Sequence, residues 1–207
     1  MEIKYFGGNC IKIVTRKSSI IIDDQVNTFG KSLSTDKDIV IHTYPTEVES
    51  KAIFLIDGPG EYEVSDISVS GVAAQAHTDE SKTHNNTMYR IIIEGIRIAV
   101  VGHVYPDITE DQLEAIGTID ILIIPVGGNG YTLDGIGAHK VIQGIEPKIV
   151  IPTHYDDGKT KYEVPQTDLE TALKTLAMEP SETVETLKLK NAEFLSESTK
   201  LIVIQPK

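Results

Sequence analysis

The stretch IDILIIPVGGNGYTLDGIGAHKVIQGIEPKIVI, residues 119–151, decides the fold class. It opens with an apolar run from Ile119 to Val126, passes through a glycine-rich loop, and predicts a helix over Gly135–Ile145 that must stop before Pro147. A second apolar run, Ile149–Ile151, follows. Strand, loop, helix, strand is the pattern of a βαβ unit, and a first strand without polar alternation is that of a strand covered on both faces. The chain is therefore expected to be α/β, with at least one parallel strand pair.

Working outward, further short β-branched segments bounded by Gly, Pro, Asp or Asn predict strands at Ile11–Val14, Ser19–Ile22, Ile39–Ile41, Ile53–Ile56, Ile67–Val72, Met88–Ile93, Ile96–Val101 and Leu201–Ile204. The links at residues 16–18 and 94–95 are short enough to be hairpins, so part of the sheet is antiparallel. Thr109 followed by Glu110, Asp111 and Gln112 is a capping box, opening a helix that runs to Ile116 and stops at Gly117. A third helix is expected over Thr167–Ala177, with Leu169, Leu173 and Leu176 at helical spacing. Polar connections cover residues 27–35, 78–86 and 156–162. No repeat or linker divides the chain, and one domain is expected over residues 1–207.

Charge limits the partners. With 19 basic against 31 acidic residues the formal net charge is −12, and no Lys/Arg run is long enough to track a phosphate backbone. Nucleic acid and membrane surfaces are thus unexpected partners, a small-molecule substrate or ligand is expected, and oligomerisation is left open. No apolar run approaches the roughly 20 residues that span a bilayer. Cys10 is the single cysteine and the first residues carry no secretory pattern, which fits a cytoplasmic setting.

Three of the six histidines directly follow strand-like runs: His77 after VAAQA, His103 after IAVVG and His154 after IVIPT. Loops at strand ends collect ligands in layered α/β folds because the sheet holds them rigidly while the loop sequence varies. Three neutral imidazoles with one open position form a known catalytic zinc arrangement that acidifies a bound water. Taken singly, such a histidine is more often a capping or hydrogen-bonding residue. His42, His84 and His139 fall in a strand end, a polar loop and a helix, and are left out of the site. The glycines of residues 57–60 and 127–130 match no phosphate-binding signature, Cys10 has no evident base, and no serine sits in a nucleophile elbow.

The ordered segments YFGGNC (5–10), IDD (22–24), DGPGEYEV (57–64), HTD (77–79), NTMY (86–89), LEAIG (113–117), IIPVGG (123–128) and IVIPTHY (149–155) cover nearly the whole chain. Together they resemble the metallo-β-lactamase-fold hydrolases, in the branch that includes the ascorbate-6-phosphate lactonases. The resemblance implies a four-layer αββα sandwich with a metal site at one edge, between the two central sheets. It places His77 at the last ligand of the first zinc site and His154 at the last ligand of the second. It also brings departures. Gly102-His103 stands where the family has Gly-Asp, whose aspartate bridges the metals, and Tyr44-Pro-Thr-Glu-Val-Glu49 stands where the family has His-x-His-x-Asp-His. The early Gly-His pair of the branch is replaced by Gly7-Gly8. Two readings follow. In one, His77, His103 and His154 hold a single metal ion, with zinc expected and Asp24, Glu47 or Glu49 serving as base or supporting group, giving a metal-dependent hydrolase. In the other, hydrolysis is lost and the domain serves as a ligand-binding or protein-interaction module.

Overall fold

In the computed structural model, which describes residues 1–24, 32–46, 50–79, 85–190 and 198–207, strand chemistry dominates. Glu47, Glu49 and His84 lie outside the described residues. The first sheet is built from β1 (Glu2–Tyr5), β2 (Ile11–Val14), β3 (Ser19–Ile22), β4 (Ile39–Ile41) and β5 (Phe54–Ile56), with the short β13 (Leu187–Lys188) on its far edge. In β1 and β2 buried and half-buried residues alternate, so Ile3, Tyr5, Ile11 and Ile13 point inward. The pairs from β13 to β3 are antiparallel, and β3, β4 and β5 run parallel.

The second sheet has eight strands. β6 (Gly60–Val64), β7 (Ile67–Ala74), β8 (Asn86–Ile93) and β9 (Ile96–Val100) form an antiparallel meander. From β9 the sheet continues in parallel through β10 (Ile121–Pro125), β11 (Ile149–Thr153), β14 (Lys200–Ile204) and β12 (Pro180–Val184). Every residue of β10 and β11 is buried, as the unbroken apolar runs required. Both expected hairpins are present, β2–β3 and β8–β9, and residues 121–153 form the parallel βαβ unit. The two sheets and their helices make an αβ sandwich of the kind the resemblance implies.

Three helices are described: α1 (Glu110–Ile116), α2 (Gly135–Ile145) and α3 (Leu169–Leu176). Thr109 and Gln112 close the capping box on α1, and Gly117, at φ 65°, ends it. Asp134 caps α2, whose last residue is followed by the left-handed Glu146 before Pro147. The third helix is shorter than its periodicity predicts, because Asp168 turns its carboxylate back to accept from Thr171 N and so becomes the cap. α1 packs on β7 and β8, and α2 packs on β10 and α3. None of these helices is long and apolar enough to cross a membrane.

This topology positions the site. β7, β9, β10 and β11 all run in one direction, so the loops after Ala74, Val100, Pro125 and Thr153 emerge on one edge of the large sheet. The loops after β1, β3 and β4 leave the small sheet in a common direction, and backbone bonds join the two sets. His154 N donates to Gly8 O at 2.8 Å, and Thr87 N to Thr43 O at 2.7 Å.

Candidate functional site

His154 is held more tightly than a loop residue needs to be. It takes a left-handed conformation, φ 53°, which a residue with a side chain adopts only when its surroundings impose it. Its backbone N–H reaches Gly8 O and the Tyr5 hydroxyl (3.0 Å), and that hydroxyl donates to Gly8 O. On the ring, Nδ1 lies 3.2 Å from Gln166 Oε1. The Gln166 amide nitrogen donates to Val164 O at 2.7 Å, so its carbonyl end faces the imidazole. Nδ1 must therefore carry the proton, and Nε2 keeps its lone pair. Gly127 makes room for this arrangement: a Cβ there would sit 2.0 Å from His154 O and 2.3 Å from Gln166 Oε1.

His103 follows the left-handed turn at Gly102, φ 59°, where a Cβ would meet the Thr43 hydroxyl at 2.4 Å. Its protonation is also set by a neighbour. Thr153 Oγ1 donates to Asn9 Oδ1 at 3.1 Å, which turns the Asn9 amide nitrogen toward His103 Nε2, also at 3.1 Å. Nε2 thus accepts, leaving the proton on Nδ1, which is buried and has no hydrogen-bond partner among the described residues. The ring lies 4.7 Å from that of His154, nearly perpendicular to it at 82°. The rings of Tyr131 (4.9 Å) and Tyr44 (5.4 Å) stand steeply against that of His103, at 71° and 74°, while Tyr162 lies 4.9 Å from His154. The centre is a pair of imidazoles boxed by three phenols.

Burial keeps the whole group uncharged. It pushes His103 down to about 3, helped by the neighbouring imidazoles of His154 and His77. It takes His154 down to about 4, against a smaller opposite pull from the Gln166 hydrogen bond. Burial also raises Tyr44, Tyr131 and Tyr162, and the charges they feel are carboxylates: Asp23, Glu163 and Asp157 respectively. At neutral pH the centre is a set of polar but neutral donors and acceptors.

His77 stands beside this pair. Its backbone N–H donates to His103 O at 2.7 Å, and its ring lies 6.0 Å from that of Tyr105. Burial lowers its pKa, opposed by the charge of Asp134, and its Nδ1 is a second buried nitrogen without a hydrogen-bond partner among the described residues. With Gln75, Thr78, Asp79, Tyr105, Asp107 and Gly130 it lines a cavity of about 650 Å³. Asp24 is occupied elsewhere. Its carboxylate accepts from Ser32 Oγ (2.5 Å), Leu33 N (3.0 Å) and Ser34 N (2.9 Å), bonds that outweigh the opposing effect of burial and hold its pKa low. Its hydrogen bonds staple residues 32–34 and none goes to the imidazoles.

Asn9 and Tyr131 lie in segments that the sequence marked only for their glycines, and Tyr162 and Gln166 lie in a connection without periodicity. Nothing in the one-dimensional pattern announces that they fix or box the histidines. As placed, the donors do not fit a hydrolytic zinc centre, which takes three protein ligands and an open position. Among the described residues no group of three or more His, Cys, Asp or Glu side chains is arranged to hold a metal ion, and His103 Nε2 already accepts from Asn9.

The family profile described as "Beta-lactamase superfamily domain" matches residues 2–154. A UPF0173 metal-dependent hydrolase of Thermoplasma acidophilum is 45% identical over 48 residues, 22% of this chain and 21% of that protein. Another, from Carboxydothermus hydrogenoformans, is 43% identical over 44 residues, 21% of this chain and 19% of that protein. The matched segments thus span only about a fifth of these relatives. A crystal structure of a candidate Zn-dependent hydrolase of the metallo-β-lactamase superfamily from Thermotoga maritima superposes with a TM-score of 0.78 at 26% identity, over 99% of this chain and 98% of the other. A candidate metal-dependent hydrolase from Parabacteroides distasonis shares the fold, with a TM-score of 0.68 at 15% identity over 99% and 93% of the two chains.

Proposed function

The chain belongs to the β-lactamase superfamily and has the metallo-β-lactamase fold, and from that premise we propose that it is a ligand-binding member whose pocket works without the dinuclear metal centre of hydrolytic relatives. One observation carries this reading: His103 and His154 pack ring against ring as a neutral pair, with Asn9 and Gln166 each engaging one of their nitrogens. Ligands bind in this fold at the strand ends, where the pair sits. His154 Nε2 offers an acceptor, and the hydroxyls of Tyr44 and Tyr131 offer both donor and acceptor. A small molecule with mixed donors and acceptors fits that set. The net charge of −12 disfavours nucleic acid and anionic membrane as partners.

A second reading rests on the buried Nδ1 atoms of His77 and His103. An amide oxygen on Nδ1–H, as at His154, is also how metal-binding histidines are oriented to present Nε2. One ion, zinc first among the candidates, held by His77, His103 and His154 would use those nitrogens and would retain hydrolase activity on ester, lactone or phosphodiester substrates. Elemental analysis of the purified protein, of His77→Ala and of His154→Ala separates the two. We expect no stoichiometric metal in any of the three; one ion per chain, lost in both variants, would establish the mononuclear centre.

A further inference from the structure

A sheet edge is open to pairing with another chain unless its sequence guards it. Three of the four edges here are guarded. β12 carries Pro180, a register shift and the exposed Glu182; β6 follows Pro59 and exposes Glu61 and Glu63; β13 has only two residues, one of them Lys188. β5 ends the small sheet with no such device. Among the described residues no strand lies beyond it, and it contains no charge, proline or bulge. This strand and the residue before it expose apolar side chains, Ile53 by 65%, Leu55 by 45% and Phe54 by 38%. Ile56 O accepts from His42 N on the β4 side, so the carbonyl of Leu55, one residue back, points to the open side.

The flanking charges identify the occupant. Lys51 and Asp57 are both exposed and stand equally far from Phe54, one on each side. We infer that β5 is a dimer-forming edge whose partner is β5 of a second copy of this chain, the two segments 51–57 pairing antiparallel about a two-fold axis at Phe54. That axis sets Phe54 against Phe54, Ile53 against Leu55, and Lys51 against Asp57 at both ends, so apolar groups meet apolar groups and each charge meets its opposite. Any other antiparallel register separates the charges. The two-fold contact uses both open edges and the remaining edges are guarded, so association stops at two chains. A strand pair this short falls below the roughly 1,200 Å² of a stable interface, and the dissociation constant is expected on the order of 100 μM.

Sedimentation velocity of the full chain, from about 5 μM to about 1 mM, tests this. The parent is expected to pass from monomer to dimer over that range. Lys51→Asp leaves carboxylates facing each other at both ends and Asp57→Lys leaves ammonium groups, so each substitution alone should weaken dimerisation about tenfold. An equimolar mixture of the two single variants restores both opposite-charge contacts and should associate as the parent does, a recovery that a folding defect in either variant would not give. Ile53→Lys, a guard of the kind the other edges carry, should leave a monomer throughout. A parent that stays monomeric to about 1 mM, a dimer unaffected by the charge variants or by Ile53→Lys, or a mixture no more associated than its components overturns the inference.

Discussion

At the scale of single residues the site is defined by which nitrogen carries a proton. Two amides, Asn9 and Gln166, set this for His103 and His154 through their own hydrogen bonds to Thr153 and Val164. Gln166→Leu leaves the His154 Nδ1–H buried without an acceptor, and a loss of about 1–3 kcal/mol in denaturant unfolding is expected, from the cost of an unsatisfied buried donor. The histidines also leave a signature in pH. Their folded values, about 3 and about 4, lie below the ordinary 6.5, so the unfolded chain takes up protons first and stability is lost as pH falls below about 6.5. Asp23 acts oppositely. Fully buried, it is raised from 3.8 to about 7 despite two hydrogen bonds from Thr43, so its contribution is lost as pH rises toward 7. Between about pH 4 and 6.5 His103 and His154, joined by His42 and His77, whose values burial also lowers, work against Asp23, and the net contribution of these groups to stability rises with pH. Asp23→Asn removes the opposing slope, and urea unfolding of that variant should show a steeper gain from pH 5 to 6.5 than the parent. A slope unchanged by the substitution would contradict the protonation states assigned to this cluster.

At the scale of elements, legibility followed how local the cause was. Capping boxes, glycine stops and runs of β-branched residues act within a few positions, so α1, α2, both hairpins and the βαβ unit could be read from the chain. β1 (EIKY), β6 (GEYEV), β12 (PSETV) and the two-residue β13 could not, since their charged or turn-like sequences become strands only when a neighbouring strand offers its edge. The site divides in the same way. The strand-end position of His77, His103 and His154 is a local property and was visible. That His103 and His154 pack together while His77 turns toward Tyr105 depends on loops from two sheets meeting, joined by the bond from His154 to Gly8. Gly127 is where the loops after β10 and β11 approach each other. Gly127→Ala should cost about 1–3 kcal/mol by overpacking, and because the added methyl points at His154 O and Gln166 Oε1, ligand binding should weaken with it. A variant of parental stability would show that the loop relaxes freely and that the close approach is not required.

At the scale of the molecule, two mixed sheets bring strand-end loops together on one edge, and that scaffold is shared with a candidate Zn-dependent hydrolase of the metallo-β-lactamase superfamily. In this chain aromatic rings and neutral imidazoles sit at the strand ends. The apolar core, from Ile3 to Ile204, stabilises the fold by burial, and on the proposed metal-free reading no ion adds to it. Its melting temperature should accordingly be the same with and without a chelator, and a drop on chelation would show that a bound ion contributes to folding. The central claim, a metal-free pair of neutral histidines, is most directly tested by imidazole ¹⁵N chemical shifts recorded between pH 8 and 5, before and after one equivalent of zinc. Both rings should report a protonated Nδ1 and a bare Nε2 throughout, unmoved by the metal; a stoichiometric zinc-dependent shift of His154 Nε2 would contradict the account.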